Sequence, residues 1–254
     1  MSKKRQSLDE LKNLERSKDL FDEGIFYPCS DGKPMADDTL QYQWMVTIKE
    51  GLETLLPNDF IAADVFWYPV KGNPKIVYAP DVMVALGRPK GYRSSYRQWQ
   101  EGNIAPQIVF EVLSNSNSVK EMAKKLDFYS TYQVQEYYVY DPHNNKLSIW
   151  CRNESGLTLV NFVGGWTSPL LGIRFQLSEK ELKIFHPTGE VFHTFQEVVG
   201  ILNQERKEKE LAIAKVEQER IEKEQAIAKV EQERIEKERL KEKLRQLGID
   251  PDSI

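Results

Sequence analysis

Pro80-Asp-Val-Met-Val-Ala-Leu86, then Ile108-Val-Phe-Glu-Val-Leu113, then a polar turn from Ser114 to Ser118 leading into a helix with Lys124 and Lys125, decide how this chain folds. The first two segments are strand-like, and each carries one carboxylate, Asp81 or Glu111, in otherwise apolar surroundings. An ionised carboxylate is costly to bury unless it is paired or binds a metal. Two such residues close together therefore need a shared explanation. Alternation along Ile108 to Leu113 puts Glu111 on one face with Val109 and Leu113, opposite Ile108, Phe110 and Val112. Both faces are apolar, as in a central strand covered on both sides.

Downstream, the pattern predicts a helix from about Ser118 to Tyr132, with Val119, Met122, Ala123, Leu126 and Tyr129 facing the core. A strand from Glu136 to Tyr140 follows, and Asp141-Pro-His-Asn-Asn145 is a hairpin turn into Lys146 to Cys151. Strand, helix, strand over Ile108 to Tyr140 predicts two parallel neighbours in one sheet. Short strands at Leu157 to Phe162, Ile173 to Leu177 and Glu181 to Phe185 continue or flank it.

Upstream, Asp37 or Asp38 can cap a helix over roughly Thr39 to Leu56, whose stripe is Leu40, Trp44, Ile48, Leu52 and Leu55. Phe60 to Val70 and Lys75 to Leu86 read as an antiparallel hairpin about the turn Lys71-Gly-Asn-Pro74, with Asp64 inside its first strand. The expected fold class is α/β, a mixed β-sheet flanked by helices.

Composition divides the chain into three parts. Residues 1–24 read as an N-terminal helical arm (Leu8, Leu11 and Leu14 at spacings of three), residues 25–200 as the folded domain, and residues 201–254 as a charged helical tail. From Asn203 to Gln246 there is no Gly, Pro or aromatic residue. Within the tail, Ala212 to Glu224 recurs unchanged as Ala226 to Glu238, a period of fourteen residues, or two heptads. That period admits a left-handed coiled coil. The seam is thin: Ile213, Val216 and Ile221 with their copies Ile227, Val230 and Ile235. A solvated helix held by i,i+4 ion pairs is the other reading. Gly248 and Pro251 end it.

The formal net charge of −4, with signs interleaved, gives no global attraction to nucleic acid, so such binding has to come from a local patch. Arg88 to Gln100 is the candidate: Arg88, Lys90, Arg93 and Arg97 could contact phosphates, with Tyr92, Tyr96 and Trp99 stacking on bases or packing locally. A charged start without an apolar stretch argues against a secretory signal, no window suits a membrane span, and the expected location is the cytoplasm. Cys29 and Cys151 read as reduced thiols outside any metal-ligand spacing. His143, His186 and His193 form no ligand spacing either.

Two acids on neighbouring strands with an amine nearby suit phosphodiester cleavage. A hard cation such as magnesium takes a few carboxylate oxygens and leaves room for water and phosphate. A lysine ammonium stabilises the transition state. A structural ion pair with an arginine is the competing explanation for such acids.

Four motifs in order then carry a family resemblance: Ala79-Pro-Asp-Val-Met-Val84, Ala105-Pro-Gln-Ile-Val-Phe-Glu-Val-Leu-Ser114, Lys124-Lys-Leu-Asp-Phe-Tyr129 and Gln135-Glu-Tyr-Tyr-Val-Tyr-Asp-Pro142. Over about Tyr27 to Phe195 the chain resembles the Uma family of restriction endonucleases, within the PD-(D/E)xK nuclease superfamily. The resemblance implies a restriction-endonuclease-like fold, Asp81 and Glu111 as metal ligands, Mg2+ (with Mn2+ as a substitute) as cofactor and DNA as substrate. The superfamily's usual lysine position is Leu113 here. The family carries a migrated lysine on the following helix, which matches Lys125, with Lys124 as the adjacent alternative. Many superfamily members have a further acid on the first core helix, for which Glu50 and Glu53 are candidates.

The expectation is a Mg-dependent DNA endonuclease with catalytic Asp81, Glu111 and Lys125, assembled as a homo-oligomer through its tail. The alternatives are a catalytically silent nuclease-fold module for binding or assembly, and a coiled-coil scaffold with an incidental globular head.

Overall fold

Ile108–Val112, the run holding Glu111, lies inside a six-stranded sheet with all five residues buried. The computed structural model describes residues 20–32, 34–162 and 165–248. In chain order these form β1 (Phe21–Asp22), β2 (Ile25–Phe26), α1 (Thr39–Leu55), β3 (Asp59–Ala62), β4 (Trp67–Tyr68), β5 (Val82–Pro89), β6 (Tyr96–Arg97) and a 3-10 turn (Gln98–Glu101). Then come β7 (Ile108–Val112), α2 (Val119–Thr131), β8 (Glu136–Asp141), β9 (Lys146–Asn153), β10 (Gly156–Leu159), β11 (Trp166–Thr167), β12 (Arg174–Leu177), β13 (Leu182–Phe185) and α3 (Phe195–Gln246). The arm expected over residues 1–24 falls, up to residue 19, outside the described residues, as does Pro251.

The chain divides into two units, residues 1–194 and 195–254. In the first, the main sheet runs β10-β9-β8-β7-β5-β3. Among the described strands of this main sheet, β7 and β8 alone pair in parallel, with Phe110 opposite Tyr138 and Glu111 opposite Val139. A helical crossover lets two parallel strands lie side by side, and α2 is that crossover. Alternation along β7 sorts its side chains as expected. Ile108, Phe110 and Val112 join Met45, Ile48 and Leu52 of α1 and Phe175, Leu182 and Ile184 of the small sheet β11-β12-β13. Val109 points the other way, with Met83, Tyr137 and the α2 residues Phe128 and Tyr129.

The upstream hairpin is shorter than the sequence predicts. β3 and β5 do pair antiparallel, with Phe60 opposite Ala85 and Ala62 opposite Met83. The first strand then stops before Asp64, whose φ of 52° is left-handed and cannot continue a strand. Trp67–Tyr68 pairs in parallel with Tyr96–Arg97 instead. Pro69, Pro74 and Pro80 offer no N–H to a ladder, so much of Val70 to Asp81 is irregular.

Asp38 caps α1, its carboxylate accepting from the Gln41 N–H at 2.8 Å. The buried stripe of α1 runs through Gln41, Met45, Ile48 and Leu52, rotated from the one expected. Similarly, Val119 of α2 is exposed, whereas Phe128 and Tyr129 are buried.

Glu136 at the start of β8 is 2% exposed and has no cation partner among the described residues. It accepts from Tyr138 Oη at 2.7 Å, Ser168 Oγ at 2.6 Å and the Leu170 N–H at 2.9 Å, which fastens the segment after β11 to the sheet. Glu136→Ala leaves three donors without their acceptor and is expected to cost about 3 kcal/mol. That lowers the melting temperature by roughly 6–12 °C for a domain of this size. Glu136→Gln, which keeps an acceptor, is expected to lose less than half as much, as calorimetry will show.

The second unit is described by α3, 52 residues without a buried side chain. Gly248, at φ 76°, follows its end. Among the described residues no helix is long and apolar enough to cross a membrane.

Candidate active site

The register of β5 on β7 brings the two acids together. Val82 lies opposite Phe110 and Met83 opposite Val109, so one further step sets Asp81 across from Glu111. Such cross-strand neighbours have Cβ atoms about 5 Å apart on one face. Asp81 Oδ2 accepts the Val112 N–H at 2.7 Å, which ties the end of β5 to β7. Its other oxygen takes no hydrogen bond from the described residues.

The third group arrives from α2. Ser118 caps the helix by accepting from the Glu121 N–H, and Asn117 Oδ1 accepts the Ser114 N–H, so the turn out of β7 is tightly defined. Positions four apart share a helix face, and Lys125 and Tyr129 both reach Glu111. Lys125 Nζ lies 2.7 Å from Oε2, and Tyr129 Oη donates to Oε1 at 2.5 Å. Lys125 is 8% exposed. Lys124, the adjacent alternative, is exposed and lies in a different depression with Lys75 and Thr131. Both Glu111 oxygens are thus engaged, although each retains a second lone pair.

The electrostatics follow from two carboxylates sharing one ammonium. Burial, and next the charge of Glu111, hold the Asp81 carboxyl well above the usual carboxylate range, against the opposing pull of Lys125. Burial would lower the Lys125 amine, but Glu111 and Asp81 outweigh it and push the amine above its ordinary value, so it stays charged. Burial and the Glu111 charge also push the Tyr129 phenol far up, which keeps it a donor.

Asp81 and Lys125 open onto a cavity of about 490 Å3, lined also by Asp64, Asp37, Gln41 and Glu121. Asp64 is a residue whose importance the sequence left undecided. Its left-handed backbone donates to the Pro80 carbonyl at 3.1 Å, beside Asp81. Burial, then Asp31, raise its carboxyl, with Glu111 adding to the effect. Gln41 donates to the Val112 carbonyl at 2.9 Å and accepts the Asp37 N–H at 2.8 Å. Asp64 carried a signal, a carboxylate inside an apolar run, whereas Gln41, with Thr39 and Gln43 close by, carried none. Glu50 and Glu53 pair with Lys49 instead and do not line the cavity.

The basic loop is employed differently from the expectation. Arg88 and Arg93 hold Glu101 at 2.9 and 2.6 Å, and Arg93 also lies over the Phe60 ring. Burial opposes it, but the two guanidiniums keep the Glu101 carboxyl below its ordinary value. Arg97 is buried over the Tyr27 ring and donates to the Phe21 carbonyl. Tyr96 and Trp99 donate to the Ile104 carbonyl and to Asp22. The expected row of phosphate-contacting cations is therefore not assembled, because three of its four members brace the loop. Lys90 and Tyr92 face solvent, and none of the four cations lines the cavity.

Both cysteines are free thiols, and His143 meets Asp38 at 3.0 Å. Among the described residues no group of three or more His, Cys, Asp or Glu side chains could hold a metal ion. Any ion here would rest on Asp81 and Glu111 with water completing its shell, an arrangement magnesium accepts and zinc's structural sites do not.

The model of the Uma2 family, described as "Putative restriction endonuclease", matches residues 46–183. A solved structure from Anabaena variabilis ATCC 29413, described as a putative nuclease belonging to DUF820, shares 14% identity. The match covers 66% of this chain and 92% of that one, with a TM-score of 0.42. No curated protein matches this sequence.

Proposed function

From the premise that this chain belongs to the Uma2 family, we propose that it is a divalent-metal-dependent DNA endonuclease using Asp81, Glu111 and Lys125. The observation that carries the reading is the charge imbalance at the cavity wall. Asp81 is half-buried opposite Glu111, and among the described residues the ammonium nearest the two acids, that of Lys125, is bound to Glu111. Like charges placed directly across a strand pair are destabilising, and a divalent cation relieves that repulsion.

The donor set fits magnesium: two hard carboxylates, one with an oxygen free of hydrogen bonds, beside a cavity with room for water and a phosphodiester. A bound magnesium ion would neutralise charge on the scissile phosphate and make its own water more acidic. Tyr129 and Lys125 hold Glu111 in one orientation, so that acid is preorganised. Lys125, kept protonated by its neighbours, donates to negative charge developing on the phosphate and does not act as a base. DNA as substrate rests on the family description.

The test is supercoiled plasmid incubated with purified protein in Mg2+, in Mn2+ and in EDTA, alongside calorimetric titration of each metal. Metal-dependent nicking supports the reading. DNA left intact in both metals, or cut equally in EDTA, defeats it. Engagement of both Glu111 oxygens favours a second reading, the catalytically silent module, which predicts neither cleavage nor heat on metal addition.

A further inference from the structure

The fourteen-residue repeat has a consequence that is independent of the nuclease reading. With Ile213 taken as position a of a heptad, Val216 falls at d, and the copy puts Ile227 and Val230 at a and d two heptads later. The heptad between them places Arg220 and Lys223 at a and d, and the heptad after them places Arg234 and Lys237 there. Inward positions thus alternate, one apolar pair and then one basic pair. The e and g positions of the apolar heptads are all glutamate (Glu217, Glu219, Glu231 and Glu233), and each basic heptad has glutamate at e (Glu224, Glu238) and an apolar residue at g (Ala226, Leu240), so every inward Arg or Lys has glutamates beside it.

The structure shows this strip uncovered. Ile213 and Ile227 are each 70% exposed, Val216 and Val230 67% and 66%. Arg220 and Arg234 reach along the helix to Glu217 and Glu231 at 2.8 Å, so the basic positions stay solvated and turned towards the acidic flank.

We propose that this strip on α3 docks a second copy of this chain, in registers that differ only by multiples of fourteen residues. The strip is self-complementary in both apolarity and charge. When apolar heptads face apolar heptads, each inward Arg or Lys lies between its own and its partner's flanking glutamates, which offset the cost of bringing cations to the seam. A slip of seven residues sets Ile and Val against Arg and Lys, so that register is rejected. The rule holds for parallel and antiparallel pairs, because reversing the order of the repeat preserves the alternation. A polar residue at an a position selects register while weakening association, so the complex is reversible. Ile221 and Ile235, expected from the repeat to share the seam, fall at b in this heptad frame and so lie outside the strip.

The test is sedimentation velocity of the full chain over a dilution series, with helix content followed by circular dichroism. Wild type should sediment as an oligomer that dissociates on dilution. The variant Ile213→Gln, Val216→Gln, Ile227→Gln, Val230→Gln should remain monomeric at every concentration with its helix retained. Arg220→Leu with Arg234→Leu should shift the dissociation midpoint at least about tenfold towards lower concentration, since it buries leucine where cations stood. Ile221→Gln with Ile235→Gln should leave the midpoint unchanged. A wild-type chain that is monomeric throughout overturns the proposal. So does a four-glutamine variant that still associates, or a pair of leucines that weakens association.

Discussion

Lys125→Met should reduce plasmid cleavage by about three orders of magnitude, the scale seen when one preorganised donor to transition-state charge is removed. It should do so without loss of metal binding. The ammonium sits 2.7 Å from Glu111 Oε2 and competes with any cation for that oxygen, so its removal leaves magnesium affinity equal or higher. Activity and affinity therefore move apart, which a merely structural lysine would not produce. The substitution also leaves a buried carboxylate with Tyr129 as its remaining hydrogen-bond donor, at an expected cost of about 3–5 kcal/mol. Cleavage has to be measured below the variant's own melting transition, with circular dichroism confirming the fold. Lys124→Met, one position away and exposed, should cut at the wild-type rate. Full activity in Lys125→Met, or a loss confined to Lys124→Met, removes Lys125 from the proposed machinery.

Asp81→Asn should abolish cleavage and yet stabilise the metal-free chain. Asparagine keeps an acceptor for the Val112 N–H while removing a half-buried negative charge that faces Glu111. Relief of about 1–2 kcal/mol, the usual scale for replacing a strained functional residue, raises the melting temperature by roughly 2–8 °C. The same physics sets a pH dependence. In the folded chain the Asp81 carboxyl is raised, so above the ordinary aspartate value the folded state keeps a proton that the unfolded state has lost. Stability of the metal-free wild type should consequently fall as pH rises from the ordinary value to the raised one. Below the ordinary value this contribution is level. Asp81→Asn should lack that slope. Magnesium should stabilise wild type and not the variant. A variant that melts lower than wild type in EDTA would mean that Asp81 is satisfied in the fold, and the argument from charge imbalance would fail.

Much of this architecture follows from short-range sequence pattern. Alternation in Ile108 to Leu113 is enough to sort β7 between two apolar layers, because successive side chains of a strand point to opposite faces. The strand–helix–strand order over Ile108 to Tyr140 implies the parallel pairing of β7 with β8, since parallel neighbours need a crossover of about the length α2 supplies. The repeat in the tail likewise announces one long helix.

Other features exist only in three dimensions. Which of two adjacent lysines meets Glu111 depends on the rotation of α2 about its axis, and that is set by Phe128 and Tyr129 packing under the sheet. The early end of β3 depends on a left-handed Asp64 that no local pattern requires. Arg88, Arg93 and Arg97 look like a solvent-facing basic patch until the loop folds back onto Glu101 at its end and Phe60 and Tyr27 are brought beside it from earlier in the chain. Sequence by itself determined which groups were too polar for their neighbours. Only the tertiary structure decided which of those groups answer one another, because a charge is paired by whatever lies within a few ångströms, and chain order does not measure that distance.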